Sequence, residues 1–392
     1  MHEGPADRYN AFITRKDFRR RDSGRLSSLR FGIKDNIDVE GMPTTAASRI
    51  LRDNMPGKSA SVVERLLNEG ALISGKTNMH EFAIGATTTS TAAGPCLNPH
   101  DMNRICGGSS GGSAACVAGR LADVALGTDT GGSVRLPAAL CGVIGFKPTT
   151  GAISAEGVIP LSTTLDAVGI LGTDIDAVRV TFRTACESER AVREWSEPAR
   201  RIRLGLFGFG DDEVSRELLA FAGRLSERFD ISAAEIPQLS ADGARVRRIV
   251  ASYEGARYHS KWMKDRSAEY FPDVLSVLRF GSNITDEEHD RGLVELGAIR
   301  RAFEEKMKDF DALLTPTVTM VAPPVSEVLG HELDYRRMLA NTELFNATGS
   351  PSISIPVASV EGMPCGLMIS GEVDSDMKIL DIAGILLQES RA

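Results

Sequence analysis

In SVVERLLNEG, residues 61–70, the apolar positions Val62, Val63, Leu66 and Leu67 fall on one helical face, and Gly70 stands where a helix C-cap belongs. ALIS, residues 71–74, follows as a short buried strand. The same reading places a helix over 111–120 and a strand over 123–126. Further on, IRLGLFG (202–208) reads as a strand, 211–229 as an amphipathic helix and ISAAEIP (231–237) as a strand. Two longer helices are predicted over 242–265 and 287–310. DALLTPT (311–317), PSISIPVAS (351–359) and CGLMISG (365–371) read as strands, and a last helix covers 376–390. Strands alternating with helices predict an α/β fold: a large mixed, mostly parallel β-sheet covered by helices on both faces.

No repeat, low-complexity tract or Gly/Ser/Pro linker divides the 392 residues. Residues 1–30 are polar and read as a peripheral N-terminal segment, and 31–392 as a single domain. A division near 175, where glycine-rich sequence gives way to charged helices, separates a half over 31–175 from a half over 176–392.

Composition narrows the function classes. Hydrophobic residues make up 42% and charged residues 25%, enough for a sizeable core. The net charge of −8 argues against a nucleic-acid footprint. RKDFRRRDSGR, residues 15–25, is locally basic and reads as a solvated segment, with a tRNA or partner contact as the lesser reading. Six cysteines (96, 106, 116, 141, 186, 365) contain no C-x-x-C pair, so neither a disulfide framework nor a zinc site is expected. With no signal-peptide core and no apolar run of the roughly 18 residues a membrane span needs, the expected setting is soluble, reducing and cytoplasmic.

Two short motifs compete for the chemistry. GALISGKT, residues 70–77, fits the phosphate-loop pattern, but the stretch that should be an open loop is apolar and strand-like. GGSSG, residues 107–111, fits the nucleophile elbow with Ser109 at its centre, but NPHDMNRIC ahead of it reads as loop rather than strand. His259, His289 and His331 lie downstream of it in no recognisable catalytic context. GTDTGGSVR, residues 127–135, surrounds Ser133 with glycine and threonine, yet no histidine lies within thirty residues to take a proton. Cys141, in LCGVIG, sits in an apolar run and reads as a buried structural thiol.

A wider constellation resolves the problem. KDNIDVEGMPTTAAS, GKTNMHEFAIGATT, NPHDMNRICGGSSGGSAA and the stretch 125–149 stand in order, with Lys34 75 residues before Ser109 and Ser133 24 residues after it. In these segments, and more weakly through DALLTPT and FNATGSPSISIPV, the chain resembles the amidase signature family over roughly residues 9–390. The resemblance implies a Ser-Ser-Lys triad: Ser133 as nucleophile, Ser109 as relay and Lys34 as base. It implies a cis peptide at Gly108–Ser109. It implies an oxyanion hole from the backbone of Thr130, Gly131, Gly132 and Ser133, with Asp129 and Arg135 pairing to brace the turn. A lysine serves as base only when neutral, and apolar Phe31, Ile33, Ile37 and Val39 permit the burial that would lower its pKa.

The implied reaction cleaves a carboxamide C–N bond through a serine acyl-enzyme, with no metal or organic cofactor. The half over 31–175 would carry the signature and the half over 176–392 would shape the substrate site. Phe82 and Ile84 are candidate substrate contacts, with core packing as their other reading; Asp334, Arg336 and Arg337 could bind a polar substrate or form a solvated face. A short N-terminal region and a short chain suggest a free-standing amidase acting on a small-molecule amide, with a homodimer left open and no membrane partner. The alternative is the glutaminase (A) subunit of a tRNA-dependent amidotransferase, supported by ASRIL, VVERL and GKTNM, in which nucleic acid is met only indirectly. TTGAISAEGVIPLSTTLDAVG and MHEFAIG tip the expectation toward the free-standing enzyme.

Overall fold

The computed structural model describes residues 6–329 and 336–390. Its strands, in chain order, are β1 (Phe12–Phe18), β2 (Arg30–Lys34), β3 (Leu72–Thr77), β4 (Leu97–Asn98), β5 (Asp101–Ile105), β6 (Val124–Asp129), β7 (Ile144–Lys147), β8 (Ala167–Gly172), β9 (Arg203–Leu206), β10 (Asp230–Ala233), β11 (Ala312–Pro316), β12 (Ser352–Val360) and β13 (Met363–Ser370). Eleven of them form one sheet in the order β1-β3-β2-β6-β8-β7-β12-β13-β11-β9-β10, while β4 and β5 pair only with each other. The first eight longer helices are α1 (Ser61–Asn68), α2 (Gly111–Ala118), α3 (Arg135–Cys141), α4 (Ile175–Ala185), α5 (Glu213–Arg224), α6 (Pro237–Asp265), α7 (Pro272–Ser282) and α8 (Asp286–Met307).

Side-chain alternation shows why both faces are covered. Along β6, Val124 and Leu126 enter a core shared with α1, α4 and α5, whereas Ala125 joins the cluster built on α2 and α3. Along β13, Leu367 and Ile369 face the first core and Met368 faces α6 and α8. This is the α/β fold with a large mixed sheet expected from the strand–helix alternation. Its pairing is more evenly mixed than that alternation predicts. Among the described residues β2–β3, β2–β6, β9–β10 and β9–β11 are parallel, and the other six pairings are antiparallel. The excess comes partly from β12 and β13, which join with no helix between them. Glu361 (φ 50°) and Gly362 (φ 76°) make the tight connection.

The early strands position the site. β2, β3 and β6 are mutually parallel, so their C-terminal ends, Lys34, Thr77 and Asp129, lie along one rim. Open α/β sheets place ligands at such a rim. Residues 70–77 show the geometry that a phosphate loop cannot have: Gly70 (φ 85°) ends the α1 turn and Gly75-Lys76-Thr77 lies inside β3. Lys76 is buried in an ion pair with Asp35 (3.1 Å). The segment expected to be peripheral contributes β1, the edge strand beside β3. Among the described residues, no helix is long and apolar enough to cross a membrane.

Candidate active site

Lys34 ends β2, and its Nζ points into a fully buried space. It lies in hydrogen-bond contact with Ser109 Oγ (2.7 Å) and donates to Thr128 Oγ1 (2.7 Å) and to the Thr128 carbonyl (3.3 Å). Burial pushes its pKa down to about 7, against the charges of Asp166 and Asp129, which pull it up. Ser109 lies just before α2, and the Gly108–Ser109 peptide is cis. Its neighbour Ser110 donates its N–H to the Ser133 carbonyl (3.1 Å), which sets the two serine loops side by side. The Ser133 hydroxyl makes no hydrogen bond among the described residues. It opens onto a cavity of about 510 Å³.

The turn carrying Ser133 is held by one carboxylate. Asp129 Oδ1 accepts from the Gly132 N–H (2.8 Å) and from Asn346 Nδ2 (2.8 Å), and Oδ2 accepts from the Val134 N–H (3.1 Å). Arg135 grips the same group, Nη2 to Oδ1 at 2.8 Å and Nε to Oδ2 at 3.0 Å, with both side chains fully buried. Burial alone would raise the Asp129 pKa. The Arg135 charge and hydrogen bonds, with help from Lys147 and Asn346, instead hold it well below the usual carboxylate range. Arg135 also donates to Asn346 Oδ1 (2.6 Å) and to the Thr342 carbonyl (3.0 Å), tying the turn to the C-terminal half.

This bracing uses one of the four N–H groups that the sequence assigns to an oxyanion hole. The Gly132 N–H is spent on Asp129, and those of Thr130, Gly131 and Ser133 have no partner among the described residues. One glycine is required by space and backbone: a Cβ on Gly132 (φ 132°) would sit 2.3 Å from Thr342 Oγ1, whereas one on Gly131 would meet only the movable end of Arg247.

The sequence candidates for substrate contact separate. Ile84 lines the cavity. Phe82 does not: it is buried in an aromatic cluster with His259 (ring centroids 4.3 Å apart), Trp262 and Tyr270. Asp334 lies outside the described residues, and the Arg336 side chain is likewise not described.

Two buried groups have no counterpart in the sequence reading. Thr128 shares the lysine with Ser109 and also accepts from Asn36 Nδ2 (3.3 Å); its only signal is its place inside GTDTGG. Asp166 accepts from Thr130 Oγ1 (2.5 Å) and from the Leu161 and Ser162 N–H groups. Burial pushes its pKa up to about 6, against those hydrogen bonds and the charge of Lys34. A single aspartate in an irregular loop carries no periodic signal, so nothing short of the fold reveals it.

Among the described residues, no histidine serves these serines. The Ser109 carbonyl accepts the backbone N–H of His80, whose ring is turned to Asp273 (3.0 Å). His259 is buried against Tyr270, with its pKa pushed down to about 3 by burial, and His289 faces Glu254. His331 is outside the described residues. The lead-in to Ser109 is β5, which stands outside the main sheet, so GGSSG lacks the central strand an elbow requires. Cys141 is buried and its thiol is pushed well above its ordinary pKa by burial. Among the described residues no three His, Cys, Asp or Glu side chains converge in a way that could hold a metal ion.

Comparison with known proteins places this arrangement. The amidase family model matches residues 9–205 and 214–380. The A subunit of the glutamyl-tRNA(Gln) amidotransferase from Archaeoglobus fulgidus is 34% identical over 395 aligned positions, covering 91% of this chain and 85% of the relative. A solved amidase superposes with TM-score 0.81 at 32% identity, covering 93% of this chain and 85% of that one. The corresponding amidotransferase protein of Thermotoga maritima also superposes with TM-score 0.81, at 27% identity, covering 96% and 86%.

Proposed function

We propose, from the premise that this chain belongs to the amidase family, that it breaks a carboxamide C–N bond by forming an acyl-enzyme on Ser133. The observation that carries the reading is the buried Lys34–Ser109 pair set beside a serine whose hydroxyl faces a cavity. A serine hydroxyl is a weak nucleophile until a base accepts its proton. Lys34 makes three polar contacts, and its neutral form accounts for all of them. Two N–H groups go to Thr128 Oγ1 and O, and the lone pair accepts from Ser109. Ser109 then takes the proton of Ser133 as that oxygen attacks the amide carbon.

Negative charge builds on the former carbonyl oxygen, which the N–H groups of Thr130, Gly131 and Ser133 are free to meet. Each such donor contributes about 3–4 kcal/mol of barrier lowering. The proton returns through Ser109 to the departing nitrogen, and water attacks the ester carbon to release acid and Ser133. In this reading Asp129 and Arg135 position the Ser133 turn and touch no reacting atom.

Which amide is cleaved is a finer question, and the sequence-based preference for a free-standing amidase is not supported over its rival. The Archaeoglobus relative is named as part of an amidotransferase, which favours glutamine as the amide and transfer of the ammonia to a partner protein. The likeness to a solved amidase at 32% identity is the observation on the other side. Both readings share the Ser133 step, because the motifs that distinguish the family lie in the common half. Ammonia release by the purified chain separates them, assayed on glutamine and on simple amides with Ser133→Ala as the blank. Turnover of simple amides identifies a free-standing enzyme. Activity confined to glutamine, or silence of the lone chain on every amide, points to the amidotransferase component, and turnover that survives Ser133→Ala overturns the Ser133 reading.

The lysine sets the pH dependence. A base of pKa about 7 must lose its proton to work, so kcat/KM rises with pH to a plateau above that value. The charge on Asp166 raises the Lys34 pKa. Asp166→Asn should therefore move the acid limb of the profile to lower pH. An acid limb that stays put in this variant would separate Lys34 from the titration.

A further inference from the structure

The cavity in front of Ser133 is lined by four charged side chains among the described residues, Arg245, Arg247, Arg248 and Glu343. Three of them are committed. Arg247 Nη2 lies 2.5 Å from Glu343 Oε1, and its Nη1 reaches the Thr130 carbonyl at 3.5 Å. Arg245 pairs with Glu295 (2.6 Å) and Asp242 (3.4 Å). Arg248 has no ion pair and no hydrogen bond among the described residues. Its guanidinium carbon sits 4.8 Å from the ring centroid of Phe280, across the gap between α6 and α7.

We infer that Arg248 binds a carboxylate carried by the amide substrate. This rests on the reading of Ser133 as the nucleophile, and it names the substrate class: short amides with a carboxylate at the end away from the scissile bond. A planar guanidinium engages a carboxylate through two parallel hydrogen bonds, and an aromatic face beneath it fixes its plane without using its donors. The surrounding wall is largely apolar, including Leu161, Val277 and Leu339. The one carboxylate among the described lining residues, Glu343, is already paired with Arg247, and the apolar part of the wall strengthens a charge pair formed against it. A neutral amide would leave the cation of Arg248 uncompensated. Monoamides of short dicarboxylic acids fit this description, and glutamine enters the class through its α-carboxylate.

The test separates binding from chemistry. Malonate, succinate and glutarate are titrated by calorimetry into Ser133→Ala and into Ser133→Ala/Arg248→Gln. At least one dicarboxylate is expected to bind the first, and at least about 10-fold more weakly to the second, with Arg248→Lys recovering part of the loss. Failure of all three to bind, or equal binding to both proteins, overturns the inference. In the chain with Ser133 intact, malonamate, succinamate and glutaramate are compared with uncharged alkanamides of the same length. The preference in kcat/KM for the anionic amide should fall at least about 10-fold in Arg248→Gln, and an unchanged preference overturns the assignment. Dicarboxylate binding that depends on Arg248, together with amide turnover that survives Ser133→Ala, supports the Arg248 site and overturns the Ser133 reading instead.

Discussion

Lys34→Met is expected to lower kcat/KM on the order of 10⁴-fold while raising the melting temperature at neutral pH. The activity loss follows from removing the only group that contacts Ser109 Oγ among the described residues, and enzymes in which nucleophile and base act as a unit lose catalysis on that scale. The stability gain follows from linkage. In the unfolded chain the lysine holds its proton up to its ordinary pKa of 10.5, whereas in the folded chain the proton is lost near pH 7. Between those values the unfolded state binds more protons, so folding is penalised, and the penalty grows as pH falls toward 7. Methionine has a similar length and no proton to lose, so its advantage should be largest near pH 7 and fade toward pH 10. Thermal melts of both proteins across that range check the sign. A difference in melting temperature between the two proteins that stays constant across that range would show that folded Lys34 keeps its proton, which a general base cannot do.

Arg135→Met is expected to destabilise the protein by about 3–5 kcal/mol, because removing one partner of a buried ion pair leaves the other uncompensated. Asp129 would keep four backbone or amide donors but lose the guanidinium that overrides its burial. The exposed pair Arg52–Asp53 makes the control, since surface pairs contribute about 0–1 kcal/mol. Urea unfolding of Arg135→Met beside Arg52→Met measures both. Equal midpoints for the two variants would mean that the Asp129 network does not hold the Ser133 turn.

Much of this framework was legible in the chain. The helix at 61–70 and the strands near 311–317, 351–359 and 365–371 appear where apolar spacing puts them. A helix that buries one stripe, or a strand bounded by turn residues, has a period that sequence displays. What escaped lacks a period. β8 (AVGILG) is buried along its whole length, so no alternation marks it. α6 begins at Pro237, five residues before its predicted start, because proline at the first turn is compatible with a helix yet looks like a breaker. α7, an eleven-residue helix that opens on another proline, stayed hidden for the same reason.

The site divides along similar lines. Lys34 and Ser109 stand in hydrogen-bond contact and Ser133 faces the cavity, three positions assigned through the spacing of whole motifs. Thr128, Asp166 and Arg248 depend on which loop folds over which strand, and no local pattern encodes that. Phe82, left between substrate contact and core packing by the sequence, takes the second place. It is adjacent in sequence to residues that line the cavity, yet its side chain turns into the aromatic cluster behind them.

The dependence of the Ser133 turn on Asn346 and Thr342 has a consequence for biogenesis. The ribosome makes every assigned catalytic group within the first 133 residues of a 392-residue chain. The side chain that locks Asp129 and Arg135 together is added more than two hundred residues later. A nascent or truncated chain therefore carries Ser133, the proposed nucleophile, without the contacts that position it. On the proposed reading, competence waits for the segment that carries Thr342 and Asn346 to dock.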